Sequence, residues 1–233
     1  MNFSLRHIVS VCTIFLFTQP LFAYDFSRMV FLAHDAINVA SELSPPPAKH
    51  SPEERADFDE IFRLQASRTL EECQRATRAL YVSLETLFGG EELLSPQELK
   101  HWRVFFDKKV FVDTGYFMMQ AKELWQRPRP YLTNERVKPC IRRDETSPAY
   151  PSGHATIAWA YGRVLSHIFP SRAVAITTRA LEVGHDRVLS GVHHPSDIAA
   201  GQKLGEIVFQ KLMTTEKFKN ELSRLLEQSK ASR

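Results

Sequence analysis

Two short runs of the chain carry side chains whose types and spacing suit catalysis on an anion. The first is Pro151-Ser152-Gly153-His154, and the second is His193-His194-Pro195-Ser196-Asp197. Each run puts a histidine at or near the predicted start of a helix, where unpaired N–H groups and the helix dipole favour a negative ligand. Asp197 follows His193 by four residues, so the two side chains can share one helix face and the carboxylate can hold one imidazole nitrogen.

Three cations stand in a suggestive order around these runs, namely Lys122, Arg129 and Arg187. Taken singly, each is most simply interpreted as a solvated surface charge. Their order relative to the two histidine runs favours an anion site instead. The remaining arginines nearby keep the solvated interpretation; they are Arg127, Arg142 and Arg143.

The three blocks together resemble the signature of a known superfamily. Lys122-x6-Arg129-Pro130, then Pro151-Ser152-Gly153-His154, then Arg187-x5-His193-x3-Asp197 resembles the signature of the type 2 phosphatidic acid phosphatases. Within that superfamily the chain is most similar to the bacterial class A nonspecific acid phosphatases, which carry a proline-rich segment like Ser44-Pro45-Pro46-Pro47-Ala48. The resemblance extends from about residue 43 to about residue 212, and it implies hydrolysis of small phosphomonoesters without a metal or other cofactor.

The resemblance also implies a role for each residue of the signature. The phosphate oxygens would be held by Lys122, Arg129, Ser152, Gly153 and Arg187. His193 would attack phosphorus to form a phosphohistidine, with its tautomer fixed by Asp197. His154 would protonate the leaving alkoxide and then deprotonate the attacking water. Because one histidine must be neutral and the other protonated, we expect a bell-shaped pH profile on the acid side.

Two positions near the signature depart from the family pattern or lack a role. Asp186 stands where the family commonly has serine, and its carboxylate would repel phosphate unless it points outward or pairs with a cation. His194 stands where a large aromatic residue is common, so it can help to shape the pocket. His185 is interpreted as an exposed loop histidine.

Other functions remain open at this point. A lipid phosphate phosphatase or a phosphotransferase could use the same scaffold, although the lipid enzymes normally sit on several membrane spans. A vanadium-dependent haloperoxidase has a similar site but a much longer chain. A non-catalytic oxyanion-binding protein would need neither His154 nor His193. Replacing His193 by alanine separates these classes, because a binding protein would keep most of its phosphate affinity.

Composition indicates one globular domain in an exported protein. The chain has 233 residues, 43% of them hydrophobic, and a formal charge of +3 that gives no reason to expect nucleic-acid binding. Residues 1–23 are typical of a signal peptide, and an uncleaved anchor is the alternative. Removal of a signal peptide leaves residues 24–233 as an acid phosphatase-like helical domain, periplasmic or secreted. No later stretch is long and uncharged enough to span a bilayer. The class A relatives suggest a homodimer.

Three cysteines occur in the sequence, and Cys12 would leave with the signal peptide. In an exported protein the other two, Cys73 and Cys140, are a possible disulfide. Two separate buried thiols are the alternative.

Periodicity and capping residues predict an all-α, single-domain helical bundle with the active site at helix ends and loops. No strand pattern or internal repeat is found. The predicted helices run over about 25–43, over 51–89 as one long helix, from Ser95 past Lys122, over about 152–168, from Ser171 to about Gly184, from Pro195 to about Leu212, and over the tail from Thr215. Residues 185–194 are predicted as a turn region.

Overall fold

The computed structural model describes residues 28–142 and 147–231. Within these ranges the regular structure is helical, and the only β-type pairing consists of isolated bridges from Gly89 and Gly90 to Leu94. The all-α prediction is therefore confirmed. The predicted signal peptide, residues 1–23, lies outside the described residues.

The helices of the described residues, in chain order, are α1 (Val39–Glu42), α2 (Pro52–Ser67), α3 (Leu70–Arg78), α4 (Leu84–Phe88), α5 (Pro96–Phe105), α6 (Phe111–Trp125), α7 (Pro130–Thr133), α8 (Gly153–Ile168), α9 (Ala173–Leu189), α10 (Pro195–Thr214) and α11 (Glu216–Ala231). A π-helical turn, Phe106–Val110, joins α5 to α6 without a break. Among the described residues, no helix is long and apolar enough to cross a membrane.

Helix α8 lies at the centre and packs against both α9 and α10. Glycines allow α10 to approach α8 very closely. A Cβ added at Gly201 would lie 2.7 Å from the carbonyl oxygen of Ser152, and one at Gly205 would lie 2.6 Å from that of Thr156. This contact brings the starts of α8 and α10, which carry the two histidine runs, next to each other.

The helix predicted over about 25–43 is wrong for the residues described. Only α1 is helical, and the segment before it is held by a buried carboxylate from α6. Asp113 accepts hydrogen bonds from the backbone N–H groups of Val30, Phe31 and Leu32 at 2.6, 2.7 and 2.8 Å. These N–H groups are satisfied by a long-range partner, so the segment gains nothing from forming a helix.

The single helix predicted over 51–89 is also wrong, since three helices occupy that stretch. Helix α2 starts as predicted, with the Ser51 side chain capping it, but it ends at Ser67. New caps then start the next two helices: Thr69 forms a capping box with Glu72, and Ser83 forms one with Thr86. Local side-chain bonds of this kind compete with a continuous helix, whereas the apolar periodicity continues across both breaks.

The helix predicted from Ser95 past Lys122 is present as the rod α5–π turn–α6. It begins at a capping box between Ser95 and Glu98. The rod is continuous because the π turn, with its centre at Lys108, interrupts the α geometry without breaking the helical path. Lys122 therefore arrives at the site on the last turn of a well-anchored element.

Cys73 and Cys140 form a disulfide across a sequence separation of 67. The bond ties α3 to the loop before α8, and that loop is also held by a hydrogen bond from Cys140 N to Ser190 O at 3.2 Å. The region joined in this way contains both helix α3 and the end of α9.

We expect loss of this disulfide to lower the free energy of unfolding by about 4 kcal/mol, because the bridge closes a long loop in the unfolded chain. The double variant Cys73→Ser/Cys140→Ser, compared with the wild type in urea titrations, measures the cost. Wild-type protein treated with a phosphine reductant is the matched control and should agree with the variant. A loss below about 1 kcal/mol would contradict the expectation.

Candidate active site

The two histidine runs are joined directly through the backbone. Ser152 N donates to the carbonyl oxygen of Asp197 at 2.9 Å. Ser152 also caps α8, its hydroxyl accepting from Ala155 N at 3.4 Å, and it is fully buried. The starts of α8 and α10 thus form one unit, with Gly153 and His154 on one side and His193 on the other.

His193 and Asp197 form a buried pair one turn apart. The Nδ1 atom of His193 lies 3.3 Å from Oδ2 of Asp197. On the other side of the ring, Arg129 Nη1 lies 2.5 Å from Nε2 of His193. An arginine can only donate, so Nε2 is the acceptor and Nδ1 carries the hydrogen that faces the carboxylate. This is the tautomer in which Nε2 presents a lone pair.

The pKa values of His193 and Asp197 are both well below their usual values. Burial, and then the positive charge of Arg129, lowers the pKa of His193 well below its usual value, although the bond to Asp197 acts in the opposite direction. Burial alone would raise the pKa of Asp197, but the hydrogen bonds from His193 and His194 outweigh it and hold that pKa well below its usual value. The pair therefore exists as a neutral imidazole beside a carboxylate.

Two cations reach the same place from the end of α6 and the segment after it. Arg129 donates through Nε to Ser147 O at 3.0 Å, through Nη2 to Ser147 Oγ at 3.1 Å and through Nη1 to Val192 O at 3.1 Å. Lys122, also buried, donates through Nζ to Pro148 O. Both side chains are held by neutral oxygens, so their positive charge is not cancelled by these contacts.

Arg187 lies in the last turn of α9, which continues to Leu189. The predicted helix end at Gly184 is therefore too early. The first residues of the predicted turn over 185–194 are helical instead. Arg187 is fully buried, and its carbonyl oxygen accepts from the backbone N–H groups of Val192 and His193, both at 3.2 Å. The end of α9 thus fixes the backbone of His193. His185, two residues earlier, is exposed as predicted but lies in α9 rather than in a loop.

His154 lies at the first turn of α8 and contacts the segment that follows α3. Its Nε2 lies 3.0 Å from Ala79 O and 3.2 Å from Leu80 O. A carbonyl oxygen accepts, so Nε2 carries hydrogen and Nδ1 is the remaining ring nitrogen. Burial, and then the charge of Arg187, lowers the pKa of His154 well below its usual value.

The lowered pKa values of His154 and His193 predict acid sensitivity. Unfolded histidines bind protons below about pH 6.5, whereas the folded ones resist protonation, so the unfolded chain gains protons first. The stability that both residues contribute is present above this pH and is lost as the pH falls toward the folded values. We expect Tm to fall steadily below about pH 6.5, and His154→Gln should reduce that slope in a thermal-melt series. A slope unchanged by the substitution would contradict this origin.

These residues surround one cavity of about 290 Å³. Of the residues named by the signature, those that line it are Lys122, Arg129, Gly153, His154 and His193. Ser152, Arg187 and Asp197 are fully buried and lie outside that lining. The cavity therefore presents two cations, a helix start and two imidazoles to a ligand. That arrangement can bind a phosphoryl group, provide a nucleophilic nitrogen and supply a proton.

Arg127 is a site residue that the sequence interpretation missed, because it is buried rather than solvated. Its Nη1 donates to Asp197 Oδ1 at 2.7 Å and to Ser196 Oγ at 2.7 Å, and its Nη2 donates to Asp57 Oδ2 at 2.9 Å. Asp57, on α2, also accepts from Ser196 N at 2.9 Å. Arg127 thus bridges two buried carboxylates and anchors Asp197 from behind.

A signal for the burial of Arg127 was present in the sequence. Arg127 and Arg129 each precede a proline, which favours an extended backbone at both positions. Side chains of an extended segment alternate between two faces. Gln126 and Pro128 are exposed, whereas Arg127 and Arg129 are buried. Asp57 gave no such signal.

Asp186 pairs with a cation, which is one of the two ways in which a carboxylate at this position can be tolerated. Arg75, on α3, donates to both of its carboxylate oxygens, with Nη2 to Oδ1 at 2.7 Å and Nε to each oxygen at 3.1 Å. Asp186 is buried and Arg75 is about one-third exposed. The Asp186 carboxylate is thus neutralised by a residue outside the signature.

We expect Arg75→Met to weaken phosphate binding, because it leaves the buried Asp186 carboxylate without its partner beside Arg187. Inorganic phosphate should inhibit less well, with Ki raised by about 5- to 10-fold if roughly 1 kcal/mol of repulsion is exposed. The matched variant Arg75→Met/Asp186→Ser removes both charges and should recover most of the affinity. Equal Ki values in the wild type and Arg75→Met would contradict this account.

His194 lies behind the pair rather than in the cavity. Its backbone N donates to Asp197 Oδ2 at 2.8 Å, its Nδ1 lies 3.1 Å from the same oxygen, and its ring meets Phe58 edge-on at 5.3 Å. It does not line the 290 Å³ cavity, so it shapes the pocket only through Asp197.

Comparison with known proteins gives a consistent result. The sequence profile of the PAP2 superfamily matches residues 110–220. The non-specific acid phosphatase of Salmonella typhimurium (strain LT2) is 27% identical over 205 residues, covering 83% of this chain and 81% of that one. The non-specific acid phosphatase of Providencia stuartii is 33% identical over 108 residues, covering 45% and 43%.

A crystal structure of a bacterial vanadium-dependent iodoperoxidase aligns with a TM-score of 0.55 at 18% identity, covering 76% of this chain and 54% of that one, which shows a shared fold alone. Residues 110–220 therefore resemble a PAP2 superfamily domain. Within that superfamily it is acid phosphatase-like, and its relatives indicate a phosphatase.

Proposed function

We propose that the chain hydrolyses phosphomonoesters through a phosphohistidine on His193, without a metal ion. One observation carries the proposal: Nε2 of His193 presents its lone pair at the cavity beside Arg129, while Nδ1 is held by Asp197. A neutral, oriented imidazole among cations is what nucleophilic attack on a phosphate dianion requires. An oxyanion-binding protein would need the cations but not the oriented imidazole.

The first chemical step transfers the phosphoryl group to the protein. The phosphate oxygens replace the contacts that Arg129 makes with His193 and that Lys122 makes with Pro148 O, which frees the lone pair on Nε2. That lone pair forms the P–N bond as the bond from phosphorus to the ester oxygen breaks. The leaving oxygen takes a proton from Nδ1 of His154, whose Nε2 stays on the carbonyl groups of Ala79 and Leu80.

The second step reverses these roles. A water molecule gives a proton to His154 as its oxygen attacks phosphorus, and the P–N bond breaks to return neutral His193 and inorganic phosphate. Asp197 stabilises His193 while that ring bears positive charge. Lys122 and Arg129, which line the cavity, and Arg187, which is buried near His154, offset the charge on the phosphoryl oxygens. Metal ions have this role in other phosphoryl-transfer sites.

The pH dependence follows from the two lowered pKa values. His193 stays neutral, and so nucleophilic, well into the acid range. His154 is neutral in the empty site at neutral pH, and the bound phosphate dianion favours its protonated form. In the complex the acid form of His154 is lost as pH rises, so the optimum of kcat is expected below about pH 6.5.

The test is hydrolysis of p-nitrophenyl phosphate by the protein from about pH 4 to pH 9, spanning the histidine range. The assay is run in EDTA, with and without orthovanadate. We expect activity that peaks on the acid side, survives EDTA and falls with vanadate, together with an acid-labile phosphoprotein adduct after rapid quenching. Activity that requires an added metal ion, or that peaks well above neutrality, would overturn the proposed mechanism.

Export and dimerisation belong to the same proposal. The disulfide Cys73–Cys140 supports an oxidising compartment, periplasmic or extracellular, in which such bonds persist. Cell fractionation with a cytoplasmic marker tests the compartment. The homodimer rests on the class A resemblance, and sedimentation of the purified protein tests it.

A further inference from the structure

The leaving group of the ester must lie beside His154. On the proposed mechanism, Nδ1 of His154 gives its proton to the leaving oxygen, so the carbon attached to that oxygen lies within a bond or two of the ring. The ring is fixed by Nε2 to Ala79 O and Leu80 O at 3.0 and 3.2 Å. The wall next to His154 therefore decides which alcohols fit.

Two segments of the chain form that wall, and both contribute apolar side chains. The segment after α3 contributes Leu80 and Val82, and the rod α5–π turn–α6 contributes Phe111, Met118 and Met119. The Met118 side chain comes within 3.6 Å of the position that a Cβ on Gly153 would occupy, so it packs against the very start of α8. Met118 is also one helical turn from Lys122, which places the apolar surface directly beside a phosphate-binding cation.

The polar side chains of the cavity have other partners and do not bind the alcohol part of the ester. Among the described lining residues these are Lys122, Arg129, Ser147, His154 and His193. Four of them are committed to the phosphoryl group or the proton, and both oxygens of Ser147 accept from Arg129 at 3.0 and 3.1 Å. No described lining residue is acidic. Hydroxyl groups on a leaving group would lose water here without gaining partners.

The segment that holds His154 also carries an exposed aromatic residue. Tyr81 lies between Leu80 and Val82 and is 73% exposed. Its backbone is fixed by a hydrogen bond from Thr86 Oγ1 to Tyr81 O at 2.5 Å. This segment thus presents an aromatic ring to solvent, and the residues on either side of it in sequence line the cavity.

We infer that this site prefers phosphomonoesters of apolar alcohols, alkyl or aryl, over those of sugars and other polyols. The inference rests on the proposed function and names its substrate class. The cavity, at about 290 Å³, is at the small end of ligand pockets. It accommodates the phosphoryl group with a short alkyl chain or one ring.

The experiment compares kcat/KM across ethyl, propyl, butyl and phenyl phosphate with glycerol 1-phosphate and glucose 6-phosphate. Each methylene that enters the cavity should raise kcat/KM about fourfold, so butyl phosphate should exceed ethyl phosphate by about 15-fold. The two polyol esters should be at least about 10-fold poorer than propyl phosphate. A flat alkyl series, or a preference for either polyol ester, would overturn the inference.

Val82→Thr tests the wall with nearly unchanged volume. The added hydroxyl should lower the butyl-to-ethyl ratio at least about threefold. Val174→Thr is the matched control, since Val174 is 82% exposed at the start of α9, and its ratio should stay at the wild-type value. A ratio that does not move in Val82→Thr, or that falls equally in Val174→Thr, would contradict the assignment of this wall.

Binding of alkylphosphonates, which cannot be hydrolysed, separates this inference from the proposed function. Their Kd for the wild-type protein should fall about fourfold for each methylene from ethyl to butyl. If no ester is turned over but the phosphonate series shows this trend, the proposed function fails and the apolar wall stands. If esters are turned over and the phosphonate series is flat, the apolar wall fails and the proposed function stands.

Discussion

His193→Ala is expected to lower kcat for p-nitrophenyl phosphate by a factor on the order of 10⁵, the scale seen when a covalent nucleophile is removed. The substitution removes the Nε2 lone pair beside Arg129 and leaves Lys122 and the start of α8 in place. Vanadate binding, followed by thermal shift, should therefore fall far less than turnover. The acid-labile phosphoprotein adduct should disappear.

His185→Ala is the matched control for His193→Ala, because His185 is exposed at the same end of the molecule. Its kcat should equal that of the wild type. A His193→Ala protein that keeps its turnover, or that still forms the adduct, would show that another group is the nucleophile. Retained vanadate binding with no turnover in the wild type either would favour an oxyanion-binding protein.

Arg127→Met is expected to give the second-largest effect, and it should act on both stability and rate. The arginine bridges Asp57 and Asp197, which are 5% and 0% exposed. Its loss leaves two buried carboxylates without their shared partner, and breaking a buried ion pair from one side costs about 3–5 kcal/mol. Urea titration of the free energy of unfolding measures this cost.

Arg127→Met should change kcat and leave KM nearly unchanged. Arg127 does not line the 290 Å³ cavity, so KM should change little. Without the hydrogen bond to its Oδ1 atom, Asp197 holds the ring of His193 less firmly. We therefore expect kcat to fall by about 10- to 100-fold, the loss typical when a residue that supports a site from behind is removed. A rise in KM with unchanged kcat would instead place Arg127 in substrate binding.

Two matched variants complete the test of Arg127. Arg127→Lys keeps the charge, but an ammonium lacks the planar fork that spans Asp57, Ser196 and Asp197. It should therefore recover part of the stability and little of kcat. Arg103→Met removes an exposed arginine on α5 and should leave both quantities at the wild-type value.

The amino-acid sequence by itself determined the chemistry-bearing residues and most of the helix starts near them. Ser51, Ser95 and Ser152 cap their helices as local patterns predict, and Pro195 opens α10. Such signals are readable because the cap and the N–H group that it satisfies lie within three residues. The spacing of four between His193 and Asp197 likewise placed the two side chains in contact.

Only the tertiary structure decided which charged side chains are buried and which backbone N–H groups find partners outside a helix. Arg127 reaches Asp57 across 70 residues, Arg75 reaches Asp186 across 111, and Asp113 reaches Phe31 across 82. No periodicity or cap links positions so far apart, because each pairing depends on how the helices pack. For this reason the sequence indicated the residues that we propose bind phosphate, whereas the groups that hold them in place appeared only in the fold.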